Sequence, residues 1–460
     1  VASDTDETVT QWTTHYLLSH ALSVAATLTS LVMLVRIFAS RRTPQSTFAW
    51  LLAIVFMPLV AIPLYLLLGS RKFPRKAKRA RGGGQGGLPP PRSGNAFELL
   101  VTGEAAYARL MERIRGAEHS IDLTMFILGS DATGRAVVDA LAERASHGVA
   151  VRVILDAVGS AGSQHHASNV LHAAGGEVRT FMPLGHSPLR GRTNLRSHRK
   201  LAVFDSEHIF AGGMNLASEY MGVAPDASRW RDVAAVVSGR ALAADATALF
   251  ESDWVFCGGK ARPPVAPSSG GATLGEAVVQ MVASGPDMVT DTVYDAFLTA
   301  IFGARVRIAL VTPYYVPDEA LQHALVLAAR RGVRTEVVVP ARSNHRLTDF
   351  ARRAMLRELR TAGVLIHYYP HGMVHAKAMV VDGHAGETSH GAFAYVGSPN
   401  FDMRSLFLNY ENALFVHSPA AIAQIRAFID GLIAESATKH PPEREHWVLE
   451  QVARLLAPEL

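Results

Sequence analysis

The sequence predicts an α/β protein: two tandem copies of one α/β unit related by pseudo-twofold symmetry, preceded by an N-terminal two-helix membrane segment. Three features predict it. Two apolar runs open the chain, a Gly/Pro-rich break follows them, and a strand–helix–strand order then occurs twice. The expected boundaries are a membrane-anchoring hairpin over 1–72, a basic and Gly/Pro-rich linker over 73–95, and α/β domains over 96–265 and 266–460.

The apolar runs span residues 16–38 and 48–68, and each is of a length that suits the hydrocarbon core of a bilayer. A cleaved signal peptide accounts for neither the second run nor the lack of a small-residue cleavage site. A core helix would show a polar stripe, which these runs lack. Pro58 and Pro63 predict a kink or a partly re-entrant path in the second run. Arg71, Lys72, Arg75, Lys76, Lys78, Arg79 and Arg81 follow it, so the positive-inside rule places the remainder of the chain in the cytoplasm of a multi-pass inner-membrane protein. Arg41 and Arg42, between the runs, oppose that orientation.

Residues 82–95 read GGGQGGLPPPRSGN, the composition of a flexible tether. Beyond it the first copy predicts a strand over 121–128, a helix over 133–147 and a strand over 149–155. The second predicts a strand over 305–312, a helix over 318–331 and a strand over 333–340. The joins match: RASHGVAVRVIL in one copy, AARRGVRTEVVV in the other, with Gly148 and Gly332 ending the helices. Residues 258–272 read as the connection between copies. A pseudo-twofold pair would hold one site at the interface of its halves.

The 460 residues are 49% hydrophobic and 18% charged, enough for a substantial core. A net charge of +5 favours anionic partners, whether nucleic acid, phosphate esters or an acidic membrane. Cys257 is the single cysteine, which rules out an intramolecular disulfide and cysteine-rich zinc sites; it reads as a small core residue. His165 and His166 sit in a loop-like stretch without nearby carboxylates, no HExxH occurs, and no metal or other cofactor is expected.

The chemistry lies in a motif that recurs with the repeat. His198, Lys200 and Asp205 are followed by Gly212, Gly213 and Asn215; His375, Lys377 and Asp382 by Gly397, Ser398 and Asn400. Both are H-x-K-x-x-x-x-D with a small-residue turn and an asparagine. Beyond the linker the only lysines are Lys200, Lys260, Lys377 and Lys439, so half fall in the motif. The position selects a compact ammonium over a guanidinium fork. Read as strand, His198 and Lys200 share a face, and folding the halves together collects two imidazoles, two ammoniums and two amides. That set suits displacement at a phosphodiester: one imidazole attacks phosphorus, the other protonates the leaving alkoxide, and Lys200, Lys377, Asn215 and Asn400, with Ser398, hold the non-bridging oxygens.

Each histidine needs a partner for its other nitrogen. Asp232, in SRWRDVAAVV, and Glu411, in SLFLNYENALFV, are the candidates, and the sequence does not assign either to a particular histidine. A surface or salt-bridge role is the alternative for both. Asp205 and Asp382 are read with the catalytic set, and equally as caps of the turn after the strand.

The paired motifs resemble the phospholipase D superfamily from about residue 97 to 416, and more narrowly bacterial cardiolipin synthases. The second resemblance rests on IPLYLLLG (62–69), TPYYVPDEAL (312–321), RSHRKLAVFD (196–205) and GSPNFDMRSLFLNYE (397–411). It implies that His198 is the nucleophile and His375 the general acid, with no metal. In the implied ping-pong reaction, one phosphatidylglycerol gives its phosphatidyl group to histidine, releases glycerol, and a second accepts it to form cardiolipin. The expected partners are anionic phospholipid and the bilayer, not nucleic acid. Hydrolysis of phospholipid or nucleic acid through the same intermediate is the alternative; a non-catalytic scaffold would not keep both motifs intact. Gly213 replaces a serine common in the family, removing a hydroxyl from the expected cradle, and residues 384–393 hold an insertion of about eight residues read as a surface loop.

Overall fold

A computed structural model describes residues 2–38, 44–68, 88–183, 194–262, 273–288, 290–382, 392–438 and 450. The helices before Phe73 belong to one compact unit and the α/β elements after Pro74 to a second.

In the first unit, α1 (Ala2–Phe38) contains an apolar stretch, Trp12–Phe38, whose 27 residues rise about 40 Å, long enough for a hydrocarbon core of about 30 Å. Its hydroxyls are satisfied locally: Ser23 Oγ donates to Ser19 O and Thr27 Oγ1 to Ser23 O. The second apolar run is not one helix. It divides into α2 (Pro44–Phe56) and α3 (Pro58–Leu68), because Pro58 has no N–H to donate to the preceding turn. Pro63 stays inside α3. At 13 and 11 residues, neither helix alone spans about 30 Å. Among the described residues, α1 is therefore the one helix long and apolar enough to cross. The three helices bury Met33, Ile37, Ile54, Ala61 and Tyr65 together. Arg41, Arg42 and the basic cluster of 71–81 lie outside the described residues.

The second unit begins with β1 (Arg92–Leu100), α4 (Gly103–Gly116), β2 (Ser120–Met125), α5 (Ala132–Ser146), β3 (Ala150–Asp156), α6 (Gln164–Ala173) and β4 (Glu177–Phe181). β5 (Leu201–Phe204), β6 (His208–Gly212), β7 (Ala234–Ser238) and α7 (Arg240–Phe256) complete its first half. The second half has β8 (Ala277–Ser284), α8 (Thr292–Gly303), β9 (Arg307–Val311), β10 (Tyr315–Val316), α9 (Glu319–Arg330) and β11 (Arg334–Pro340). It continues through α10 (Arg346–Thr361), β12 (Leu365–Tyr369), β13 (Ala378–Val381) and β14 (Phe393–Gly397), then β15 (Phe401–Asp402), α11 (Met403–Phe407), β16 (Glu411–Val416) and α12 (Pro419–Ala434). Fourteen strands pair in the order β12-β11-β9-β13-β14-β16-β8-β1-β7-β6-β5-β2-β3-β4, which reads alike from either end. The β1–β8 pairing, Asn95 opposite Ala277, joins the halves. Arg92–Asn95 therefore belong to a strand, although their Pro/Gly/Ser context reads as tether: cross-strand pairing overrides composition.

Asp131 and Asp318 cap α5 and α9 through Gly134 N and Leu321 N. Gly148 and Gly332 follow those helices at φ +88° and +89°, and Val149 N and Val333 N return to Arg144 O and Ala328 O, so both copies end in the same left-handed cap. One apolar core lies within each half, and a third is shared, bringing Leu201, Val203 and Ile209 against Ala309, Val380 and Val396. Two local expectations change. His165 and His166 lie on α6 rather than in a loop. Cys257 is half-buried at the end of α7 rather than in the core, because the helix stops there. Of the connection read over 258–272 only residues 258–262 are described, and of the insertion over 384–393 only Ala392 and Phe393, the latter opening β14.

Asp205 and Asp382 follow β5 and β13 at φ 51° and 53°. The Asp205 carboxylate accepts from Glu118, His119 and Ser120 N; that of Asp382 from Arg305, Val306 and Arg307 N. They close the turn onto the start of β2 and of β9, about 15 Å along the strand from the motif lysine. The catalytic role is corrected to a structural one: these carboxylates are occupied by backbone at the edge remote from the histidines. Replacing Asp382 by Ala strands those N–H groups and is expected to cost about 2–3 kcal/mol in denaturant unfolding, with turnover per folded molecule retained. Normal stability with lost turnover would restore the catalytic reading.

Candidate active site

His198 and His375 lie just before β5 and β13, not within them. β5 is antiparallel to β2 and β13 to β9, so both motifs emerge where β2 and β9 end. β7 and β16 start at this same edge, two residues after Asp232 and at Glu411. The sheet thus delivers two imidazoles, two ammoniums and two carboxylates to one edge.

Short parallel bridges fix the arrangement across the halves. Ser197 pairs with Tyr410, and His198 N donates to Tyr410 O at 2.9 Å. Arg231 pairs with Val374, and His375 N donates to Arg231 O at 2.7 Å. Each motif histidine is thereby bound beside the residue that precedes the other half's carboxylate. The side chains follow. His198 Nδ1 meets both Glu411 carboxylate oxygens at 3.0 Å, and His375 Nδ1 meets Asp232 Oδ2 at 2.6 Å. The sequence left this assignment open; the structure crosses it.

All six groups are buried, with Lys200, Lys377 and Glu411 fully so. Lys200 Nζ donates to His198 O at 2.8 Å, and Lys377 Nζ lies 2.9 Å from His375 Nε2. Burial pushes the His198 imidazole down to about 4, against the pull of Glu411, and drives His375 well below its usual value, with Lys377 and Lys200 adding to the effect. Burial raises Asp232 to about 6 and lowers Lys377 to about 8. Glu411 resists its own burial: His198, Lys200 and the Ser398 hydroxyl hold it below the ordinary carboxylate range.

The two turns are not equivalent. Ser398 Oγ donates to Glu411 Oε2, and Asn412 N donates back to Ser398 Oγ at 3.0 Å. Ser398 is therefore committed to the carboxylate and corrected from the expected phosphate cradle. A Cβ at Gly213 would collide with Asp232 Oδ1, so the glycine makes room for a shorter carboxylate that sits closer to its turn. Asn215 Oδ1 accepts from Ile127 N, and its side chain also bonds Tyr220; Asn400 bonds Asp402, the cap of α11. These bonds orient both amides beside the site.

Several contributors escaped the sequence reading. Asn412 Oδ1 accepts from Lys200 N. Buried Arg199 pairs with Asp253 and donates to Glu411 O and Ser284 O, bracing the first motif, where the second has Ala376. Asp156 accepts from Ser197 N at 2.9 Å. Phe126 lies edge-on to His198 at 5.0 Å, whereas Tyr220, Trp230 and Tyr314 surround His375 at 5.1, 5.4 and 6.4 Å. Only the adjacency of Arg199, Trp230 and Asn412 to motif residues signals them in the sequence.

A duplicated sheet with a paired His–Lys site at the joined edges defines a phospholipase D-like protein. The chain belongs to the family described as cardiolipin synthase, PLD-like domain, which matches residues 110–254 and 297–433. A phospholipase D-nuclease N-terminal segment matches residues 28–70. A cardiolipin synthase of Alkalihalophilus pseudofirmus is 31% identical over 95% of this chain and 93% of its own length. One from Listeria welshimeri is 29% identical over 96% and 99%. Among solved structures, phosphatidylserine synthase of Haemophilus influenzae shares the fold at 15% identity with a TM-score of 0.62, covering 79% of this chain and 95% of that one.

The difference between the turns is testable. Gly213→Ser is expected to displace Asp232 and lower turnover by about 10²-fold, as angstrom-scale misplacement does. Ser398→Gly removes the hydroxyl's bonds to Glu411 and Asn412 but leaves the carboxylate in place, and is expected to cost about tenfold or less. Equal effects in the two variants would refute this reading of the asymmetry.

Proposed function

We propose that this phosphatidyltransferase makes cardiolipin from two phosphatidylglycerol molecules through a phosphohistidine on His198. The observation that carries it is the pair of crossed imidazole–carboxylate contacts, within a family whose compared members are named cardiolipin synthases. With Nδ1–H donated to Glu411, the His198 lone pair is on Nε2. A neutral imidazole over the working pH range is the form a nucleophile needs. Nε2 attacks phosphorus, the P–O bond to the headgroup glycerol breaks, and His375, protonated on both nitrogens, gives its Nε2 proton to the departing alkoxide. The substrate's negative charge beside His375 offsets the burial that otherwise keeps it neutral. Lys200, Lys377, Asn215 and Asn400 hold the non-bridging oxygens. A hydroxyl of the second phosphatidylglycerol then attacks, His375 takes its proton, and the P–N bond breaks to free His198. Asp232 orients His375 and stabilises its imidazolium, as Glu411 does for His198.

The bilayer supplies both lipids. α1 fits a membrane span, α2 and α3 complete the anchor as a broken, re-entrant pair, and the catalytic unit works on the cytoplasmic side of a bacterial inner membrane.

Purified full-length chain in phosphatidylglycerol vesicles is expected to form cardiolipin and glycerol in equal amounts. Both products should fall by more than about 10³-fold in His198→Ala and in His375→Ala. Phosphatidic acid in place of cardiolipin would reassign the enzyme to hydrolysis.

The pH profile supplies a second test. Asp232 gains a proton as pH falls through about 6, removing the charge that supports the His375 imidazolium. Lys377 loses its proton as pH rises through about 8, removing a cation from the phosphate. The coupled set therefore predicts a bell-shaped kcat/KM with limbs near those values. A flat profile between pH 5 and 9 would count against these roles.

A further inference from the structure

Two loops and the start of α10, around the two histidines, carry the three most exposed large apolar side chains of the catalytic unit among the described residues. Val223 is 81% exposed, Leu347 51% and Val158 49%. Val158 follows β3 and Leu347 follows β11, the corresponding strand of the other half; Val223 lies between β6 and β7. Val158 and Val223 stand on connections and Leu347 in the first turn of α10, all at the strand-end edge that bears the motifs.

Each segment is tied to the site. Asp156 accepts from Val158 N as well as from Ser197 N, beside His198. Val223 lies between Tyr220 and Trp230, whose rings pack on His375. Leu347 is close to His345, whose ring meets Tyr314, itself against His375. Arg342 and Arg346 are exposed next to Leu347, and the nearby Asp349 is engaged by Ser343 N and Arg352. Asp226, on the Val223 loop, accepts from Ser228 N and Oγ.

Single exposed apolar residues are ordinary, but a set that rims one site beside exposed arginines marks an amphipathic contact. The substrate chemistry requires one. The reacting phosphorus belongs to a lipid whose two acyl chains resist transfer into water, while His198 and His375 are fixed in the sheet edge. The edge must come to the lipid.

We propose that the strand-end edge holding His198 and His375 rests on an anionic phospholipid bilayer, with Val158, Val223 and Leu347 entering the acyl boundary and Arg342 and Arg346 meeting lipid phosphates. This rests on the phosphatidyl-transfer reading. It makes the catalytic unit an interfacial binder in its own right, separately from α1.

The test uses the full chain with Cys257→Ala, carrying Val223→Cys, Leu347→Cys or Leu365→Cys labelled with an environment-sensitive fluorophore. Leu365, exposed at the start of β12, marks the opposite edge. In phosphatidylglycerol vesicles doped with a shallow nitroxide lipid, the Val223 and Leu347 labels are expected to be quenched about twofold or more, and the Leu365 label not. In parallel, Val223→Asp combined with Leu347→Asp is expected to lower the ratio of vesicle turnover to monomeric dibutyryl-phosphatidylglycerol turnover by about tenfold. Equal quenching at all three positions, or an unchanged ratio, overturns the proposal. Edge-specific quenching in a chain that makes no cardiolipin would support the contact while overturning phosphatidyl transfer. Cardiolipin synthesis without edge-specific quenching would overturn the contact alone.

Discussion

The catalytic unit depends on two hydrogen bonds that cross from one half to the other, His198 to Glu411 and His375 to Asp232. Each half supplies a histidine and a carboxylate, and neither completes a pair alone. A buried carboxylate without a partner is strongly unfavourable, so the bonds specify the docking of the halves as well as the site. The backbone bridges at Tyr410 and Arg231, the β1–β8 pairing and the shared apolar core maintain that register. A one-residue slip at either bridge would turn a histidine away from its acid.

Within this symmetry, the repeated atoms are those that would touch phosphate, while their supports diverge. Glu411 has the Ser398 hydroxyl and sits below the usual carboxylate range; Asp232 has Gly213 beside it and sits near 6. His198 packs on one phenylalanine and is braced by Arg199, whereas His375 is enclosed by three larger rings. A stationary nucleophile and a proton carrier need different surroundings. In the proposed reaction, identical imidazoles acquire those roles from their neighbours.

On the proposed reading, the apolar N-terminal helices and the exposed rim of the catalytic unit address one physical problem. A phosphodiester in a bilayer is presented at a surface, and a site buried in a sheet reaches it only if the sheet edge is compatible with that surface. The segments after β3 and β11 occupy corresponding places in the duplicated fold.

Much of this was legible in one dimension. The repeat, the helix-ending glycines at 148 and 332, the paired His–Lys motif and the long apolar helix are local patterns set by backbone periodicity, capping geometry or composition. The misread elements depend on contacts remote in sequence. Arg92–Asn95 looks like tether until β8 pairs with it, and Asp205 and Asp382, readable equally as catalytic or as turn caps, resolve only when their carboxylates are seen on the starts of β2 and β9. Ser398 looks like a phosphate ligand until Glu411 takes its hydroxyl. By itself, then, the sequence determined that two imidazoles, two ammoniums and two acids would be present, since residue type and spacing are local. Only the tertiary structure decided which acid serves which histidine, because that choice is made by a register between strands more than a hundred residues apart in the chain.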